Sequence, residues 1–255
     1  MRITLLLSLV LMLFSACEES RTACLDFFAE NYDLGAVEAC DSCCAYPSFT
    51  FTSNTVFDTF NFSYNRFQAL PGGDSIAIQD FELGFFNIQF VALDTSYNVI
   101  NYATEDRSLV DNVRLYNSRA SSTLNIGETN FSNDLSSIKL RLGIEIEDVP
   151  QLTNLISSSN WNLLQDSMYV DSIPLFNTFK MTYLLNDSIP HSISSDKVID
   201  NLSWDLIKFV SPGQDWSLNM TLDFNMILKD INADLTESEV KEIIEENLSS
   251  LISIE

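Results

Sequence analysis

Trp216-Ser-Leu218-Asn-Met220-Thr-Leu222-Asp-Phe224-Asn-Met226-Ile-Leu228 places a large apolar side chain at every second position. Side chains of a β-strand point to opposite faces with period two. Trp216, Leu218, Met220, Leu222, Phe224, Met226 and Leu228 therefore share one face. Ser217, Asn219, Thr221, Asp223, Asn225, Ile227 and Lys229 occupy the other. The pattern predicts one long strand over 216–228, buried on one side.

The same period recurs upstream. Ile138, Leu140, Leu142, Ile144 and Ile146 alternate with Ser137, Lys139, Arg141, Gly143 and Glu145. Phe179, Met181, Tyr183 and Leu185 make a third strand, and Leu202, Trp204 and Leu206 continue the series. Between Asp80 and Leu93 the pattern is denser. Phe81, Leu83 and Phe85 fall on one face and Phe86, Ile88 and Phe90 on the other, so a bulge is expected near Gly84. Pro71-Gly72-Gly73-Asp74 and Ser211-Pro212-Gly213-Gln214 are turn signals, and 117–123 reads as an exposed loop. Serial strands joined by polar turns indicate a sandwich or a barrel from Phe49 onward. A single long helix follows. Thr236-Glu-Ser-Glu239 matches a capping box, and Val240, Ile243, Ile244, Leu248, Leu251 and Ile252 recur at helical spacing. Residues 157–164 suit a short helical connection.

The other end of the chain reads differently. Arg2 precedes an apolar run, Ile3 to Phe14, closed by Ser15-Ala16-Cys17. This is the form of a signal peptide, and it is shorter than the roughly 20 residues that span a bilayer. Leu13-Phe14-Ser15-Ala16-Cys17 resembles a lipobox, which implies cleavage before Cys17 and acylation of its thiol. The expected organisation is a lipoprotein signal peptide at 1–16, a cysteine-rich segment at 17–47 and a β domain at 48–255. Membrane contact is expected through the lipid alone, at the bacterial outer membrane. Glu18-Glu19 resemble a surface-export signal, so the periplasmic and cell-surface sides both stay open.

Removing 1–16 from the 255 residues leaves 239, and losing Arg2 takes the formal charge from −23 to −24. That acidity argues against nucleic acid and anionic membranes as partners. Besides Cys17 there are four cysteines: Cys24, Cys40, Cys43 and Cys44. In an exported chain an even number suggests two disulfides. A bridge between adjacent residues is strained, so Cys24 and Cys40 are expected to pair with Cys43 and Cys44 in one of two ways. A cysteine zinc site is the rival. The chain has one histidine, His191, too few for a multi-histidine metal site, and no GxSxG, HExxH, Walker A or GxGxxG pattern. No enzyme is expected. Asp230-Ile-Asn232-Ala-Asp234 lacks the glycine and the bidentate glutamate of a calcium loop. Met220 and Met226 could bind copper through their thioethers, but core packing explains them better.

Two resemblances add to this reading. Cys24-Leu-Asp26, Ala29, Asn31-Tyr32-Asp33, Ala36 and Cys43-Cys44-Ala-Tyr46-Pro47 resemble a small module of exported bacterial proteins, which implies a disulfide-held leader. Asp26, Asp33, Glu38 and Asp41 are its candidate calcium ligands, with solvated acids as the simpler reading. Phe85-Phe86-Asn87-Ile88-Gln89-Phe90, Leu135 to Glu145, Asn160-Trp161-Asn162, Phe179-Lys180-Met181 and Trp216 to Leu235 are similar, in order and spacing, to the MbnP-like family. These are exported proteins named for a periplasmic copper-binding protein associated with methanobactin. The resemblance implies an all-β fold: an antiparallel β-sandwich with a C-terminal helix. It also implies copper as the cofactor, His191 and Trp161 as metal-site residues, a non-catalytic role and a di-haem peroxidase as partner. The family's Trp-rich stretch is here Met168-Tyr169-Val170-Asp171-Ser172. The alternative is a surface interaction module without a metal.

Overall fold

The structure is a computed structural model that describes residues 21–93, 95–98, 113–119, 122–144, 169–170, 175–186 and 189–255. The segment 1–16, Cys17, the connection at 157–164 and Trp161 lie outside the described residues. A leader carries β1 (Thr22–Ala23) and β2 (Glu38–Ala39). Then come β3 (Ser48–Phe57), β4 (Phe60–Asn61), β5 (Gln68–Ala69), β6 (Ser75–Ala92), β7 (Thr95–Asn98), β8 (Val113–Asn117), β9 (Thr123–Glu128) and β10 (Asp134–Leu142). They are followed by β11 (Tyr169–Val170), β12 (Leu175–Phe176), β13 (Phe179–Leu185), β14 (Pro190–Ser195), β15 (Ile199–Phe209) and β16 (Trp216–Asp223). Helices α1 (Asn225–Leu228) and α2 (Glu237–Asn247) precede β17 (Ile252–Ile254).

Apart from the two-stranded pairs β1-β2 and β11-β12, the described strands build two open sheets, so the fold is a sandwich and not a barrel. One runs β17-β16-β3-β4, with β9 also on β3; the other runs β14-β13-β6-β10-β15, with β5, β7 and β8 also on β6. Pairing within both is antiparallel except between β3 and β16, which run parallel from Phe49↔Trp216 to Val56↔Asp223. The core lies between them. Phe49 and Phe51 of β3 and Trp216, Leu218, Met220 and Leu222 of β16 join the same cluster as Phe81, Phe85, Ile88 and Phe90 of β6. Phe49, Phe90 and Trp216 form an aromatic triad with centroids 4.3–4.9 Å apart. Each such side chain stabilises the fold by roughly 1.5–3 kcal/mol. The Trp216 indole N–H donates to Thr129 Oγ1 at 3.1 Å, so the ring is buried without an orphaned donor.

β6 is the spine of the larger sheet. Leu83 pairs with both Phe179 and Tyr116, and Phe86 with both Arg141 and Val113. β13 and β10 therefore meet end to end along one edge of β6. The junction is Gly84, whose N–H donates to the Thr178 carbonyl at 2.9 Å and whose carbonyl accepts from Gly143 N–H at 3.1 Å. Gly143 sits at φ +81°, and a Cβ there would lie 2.1 Å from Thr178 Oγ1. Only glycine fits that position.

Several expectations are corrected. The strand 216–228 ends at Asp223, whose Oδ1 accepts from the backbone N–H of Asn225 at 3.0 Å and of Asp58 at 3.2 Å. Phe224, Ile227, Leu228 and Ile231 then bury themselves at helical spacing, so the same apolar run satisfies two periods. Met226 consequently leaves the face of the fully buried Met220, and the thioether pair is split. In β6 the bulge falls at Asn87, with φ +51°, three residues after Gly84. It returns Ile88 and Phe90 to the core face of Phe81, Leu83 and Phe85, leaving Phe86 out of that cluster. The strand from Ile138 ends at Leu142, before the turn of Gly143. Helix α2 carries the expected capping box at Thr236 and Glu239 but stops at Asn247, and Ile252–Ile254 pairs with β16 instead. Among the described residues no helix is long and apolar enough to cross a membrane.

The leader is tied by its polar residues. Cys24 and Cys44 form a disulfide across 20 residues, one of the two bridges expected; among the described residues no bridge joins Cys40 to Cys43, and the Cys43 thiol donates to the Cys40 carbonyl at 3.0 Å. Asn31 donates to the Cys43 carbonyl at 2.7 Å and accepts from Ala45 N–H at 2.9 Å. The Tyr46 hydroxyl donates to Asp26 at 2.6 Å. Asp33 accepts from Gly35 N–H at 2.9 Å and faces Arg21 at 3.3 Å. Asp26 and Asp33, candidate calcium ligands, are thus engaged in holding the leader. Ala29 is buried against Gly213 of the β15–β16 turn, where a Cβ would meet the Ala29 carbonyl at 3.0 Å.

Candidate functional site

His191 lies on β14 directly opposite Tyr183 on β13. Cross-strand partners stand close enough for their side chains to touch, and the two rings stack with centroids 5.3 Å apart and planes 23° apart. Helix α2 supplies the third group. Thr236 caps the helix, its Oγ1 accepting from Glu239 N–H, and so fixes Glu237 as the first helical residue. The Glu237 carboxylate reaches His191 Nδ1 at 3.0 Å. Further along, Ser195 of β14 donates to Glu245, which also faces Lys241 at 3.6 Å, so the helix is held along the strand.

These groups open on a cleft of about 460 Å³ that Asn186, Leu235 and Thr236 also line. Its walls are clamped by Asp74. Asn186 donates to Asp74 Oδ1 at 2.6 Å and Ala233 N–H to Oδ2 at 2.8 Å. These two bonds hold the Asp74 carboxyl below its ordinary range. Burial, and then the charge of Glu237, pushes the Tyr183 hydroxyl up to about 12. Tyr183 is therefore a neutral platform at physiological pH.

A carboxylate can only accept, so His191 Nδ1 is the donor to Glu237, and in the neutral ring the lone pair then lies on Nε2, the arrangement in which a carboxylate orients a metal-binding or hydrogen-bonding imidazole. Among the described residues no three His, Cys, Asp or Glu side chains are placed to hold a metal ion. The described chain offers one oriented imidazole and not a closed copper site. Trp161, the other expected metal-site residue, lies outside the described residues. The family resemblance and its standing as the one histidine of the sequence pointed to His191. Glu237 was legible only as a position in a capping box, and Asp74 only as a turn residue.

A second polar groove, of about 290 Å³, surrounds Arg141 of β10. Arg141 pairs with Asp200 at 2.5 Å and lies 5.4 Å from the Phe86 ring centre. Both neighbouring strands lose register beside it, at Asn87 and at Asn201, each with positive φ. Neither irregularity has a glycine to announce it.

Fold and cleft together define a β-sandwich domain with one histidine-bearing cleft between a hairpin and the C-terminal helix. No protein family matches the sequence, and no curated protein matches it. Among solved structures the chain is similar to MbnP from Methylosinus trichosporium, with 8% identity, 72% of this chain and 78% of that one covered, and a TM-score of 0.47. A likeness of that depth assigns neither a ligand nor a partner to this chain.

Proposed function

We propose that this is an exported, MbnP-like binding protein, anchored by lipid at Cys17 and non-catalytic, whose His191 cleft takes copper. The observation that carries the reading is the 3.0 Å contact between His191 Nδ1 and Glu237. An imidazole held in this way by a carboxylate is oriented to coordinate through Nε2. Copper(II) accepts imidazole and carboxylate donors. His191 would supply one ligand, and the Trp161 connection is where the family resemblance places the remainder. The non-catalytic reading rests on the neighbours of His191. Tyr183, with its hydroxyl at about 12, and Glu237 orient the ring, and neither is an activated nucleophile. A di-haem peroxidase is the partner that the resemblance proposes, and the bacterial outer membrane is the proposed location.

Copper(II) titration of the mature protein, read by calorimetry and by electron paramagnetic resonance, tests the site. One nitrogen-coordinated copper that disappears in His191→Ala supports it. Binding that the substitution leaves unchanged rejects it. Fatty-acid labelling of wild type and Cys17→Ser tests the anchor. Label on the wild type alone is expected; equal label on both rejects acylation at Cys17.

A further inference from the structure

The leader buries Cys24 and Ala29 but turns most of its large apolar side chains outward. Its polar side chains, Asp26, Asn31, Asp33 and Tyr46, are spent on internal hydrogen bonds. Five large apolar ones face solvent: Leu25 at 41% exposure, Phe27 at 59%, Phe28 at 37%, Leu34 at 82% and Val37 at 70%. Phe27 meets Phe28 and Tyr32 edge-on, with centroids 6.1 and 5.7 Å apart. A loop that only had to stay dissolved would show the opposite arrangement, and a concentration of exposed apolar side chains marks an interaction surface. The Cys24–Cys44 disulfide and the Asn31 bonds hold it in shape.

Chain length says what lies next to it. Three residues separate Arg21 from Cys17, and the four chain steps between them span at most about 14 Å. If Cys17 carries lipid, the leader cannot move away from the bilayer. We propose that the leader's outward apolar side chains rest in the headgroup region of the membrane that holds the Cys17 lipid, an inference that depends on the proposed anchor. Phe27 and its neighbours enter the boundary between headgroups and acyl chains, as interfacial aromatic residues do. The acids of the segment, Glu18, Glu19, Asp26, Glu30, Asp33, Glu38 and Asp41, stand against Arg21 as its sole lysine or arginine. The surface is therefore suited to zwitterionic and not anionic headgroups. This contact would orient the sandwich relative to the membrane, which a flexible tether alone would not.

The test uses the full lipidated chain in phosphatidylethanolamine–phosphatidylcholine vesicles with brominated acyl chains. Phe27→Trp reports the leader. Phe60→Trp is the control, because Phe60 is 74% exposed and pairs with Phe57 at the other end of β3. Nine residues of strand place it about 30 Å from Ser48. Vesicle flotation is measured alongside, and wild type supplies the tryptophan background. The expected result is flotation of both variants, with Phe27→Trp emission reduced about twofold at the acyl boundary and Phe60→Trp unchanged. Flotation with Phe27→Trp unquenched would overturn the membrane contact while leaving the anchor intact, and would give the surface to a protein partner. Failure to float would overturn the anchor and, with it, the contact.

Discussion

Replacing Gly143 with alanine probes the junction that sets β13, and hence the Tyr183–His191 hairpin, against β10. Two costs follow from the structure. An L-residue at φ +81° pays about 1–2 kcal/mol for the left-handed region. The new Cβ would lie 2.1 Å from Thr178 Oγ1, 3.1 Å from its Cβ and 3.3 Å from its Cγ2. Neither strand yields easily, because Gly84 is bonded to Thr178 on one side and to Gly143 on the other. Such overpacking costs about 1–3 kcal/mol. A total of about 3 kcal/mol lowers Tm by about 6–12 °C in a domain of this size. Urea denaturation should show a lower midpoint at unchanged slope. Thr178→Ala in the same chain should recover part of the loss, because it removes the two side-chain tips and leaves only the 3.1 Å contact. On its own, Thr178→Ala should cost little, because Oγ1 is buried without a hydrogen-bond partner. The double-mutant coupling should be about 1 kcal/mol or more. An unchanged midpoint for Gly143→Ala, or strict additivity with Thr178→Ala, would refute the reasoning.

Other consequences are open to measurement. Thr178→Val, which trades an orphaned hydroxyl for a methyl, should leave the urea midpoint unchanged or raise it. Thr236→Ala should cost about 1 kcal/mol through loss of the helix cap, seen as a lower midpoint together with faster hydrogen exchange in α2. Serine at Cys24 and Cys44 frees a loop closed over 20 residues; chain entropy puts the loss at about 3 kcal/mol, and limited proteolysis should show it in the leader and not in the sandwich. The carboxylates give opposite pH signs. Asp74 is held low by Asn186 and Ala233, so its stabilisation is present at neutral pH and lost as pH falls through its lowered pKa. Glu30 is raised from 4.5 by burial and by its bond to Asp215, and Glu128 is raised by burial and by the charge of Glu30. Their contribution is present at low pH and lost as pH rises through the raised values, so exchange protection in the leader should fall as pH rises.

Periodicity carried the fold well where one face was buried and the other wet. β13 and the first half of the Trp216 run follow it closely. It misled where a second period fitted the same residues: Phe224, Ile227 and Leu228 satisfy a helical turn as readily as a strand. It also misled in β6, where the bulge at Asn87 sits three residues from the glycine that attracted attention. Gly84 serves the fork between β13 and β10 instead, a long-range arrangement with no local signature. In the candidate site His191 stood out because it is the sole histidine. Its partners did not. Tyr183 read as one more core residue, Glu237 lies 46 positions away on another element, and Asp74 is an ordinary turn aspartate. Contacts at that separation are made by tertiary packing, which alternation along one segment does not encode.

The most direct measurement is the copper(II) resonance spectrum of the mature protein beside those of His191→Ala and Glu237→Gln. A cleft in which Glu237 orients His191 predicts nitrogen-coupled copper in the wild type, its loss in His191→Ala and about 10–100-fold weaker binding in Glu237→Gln. Identical spectra and affinities in all three, or no copper bound by any, would contradict it.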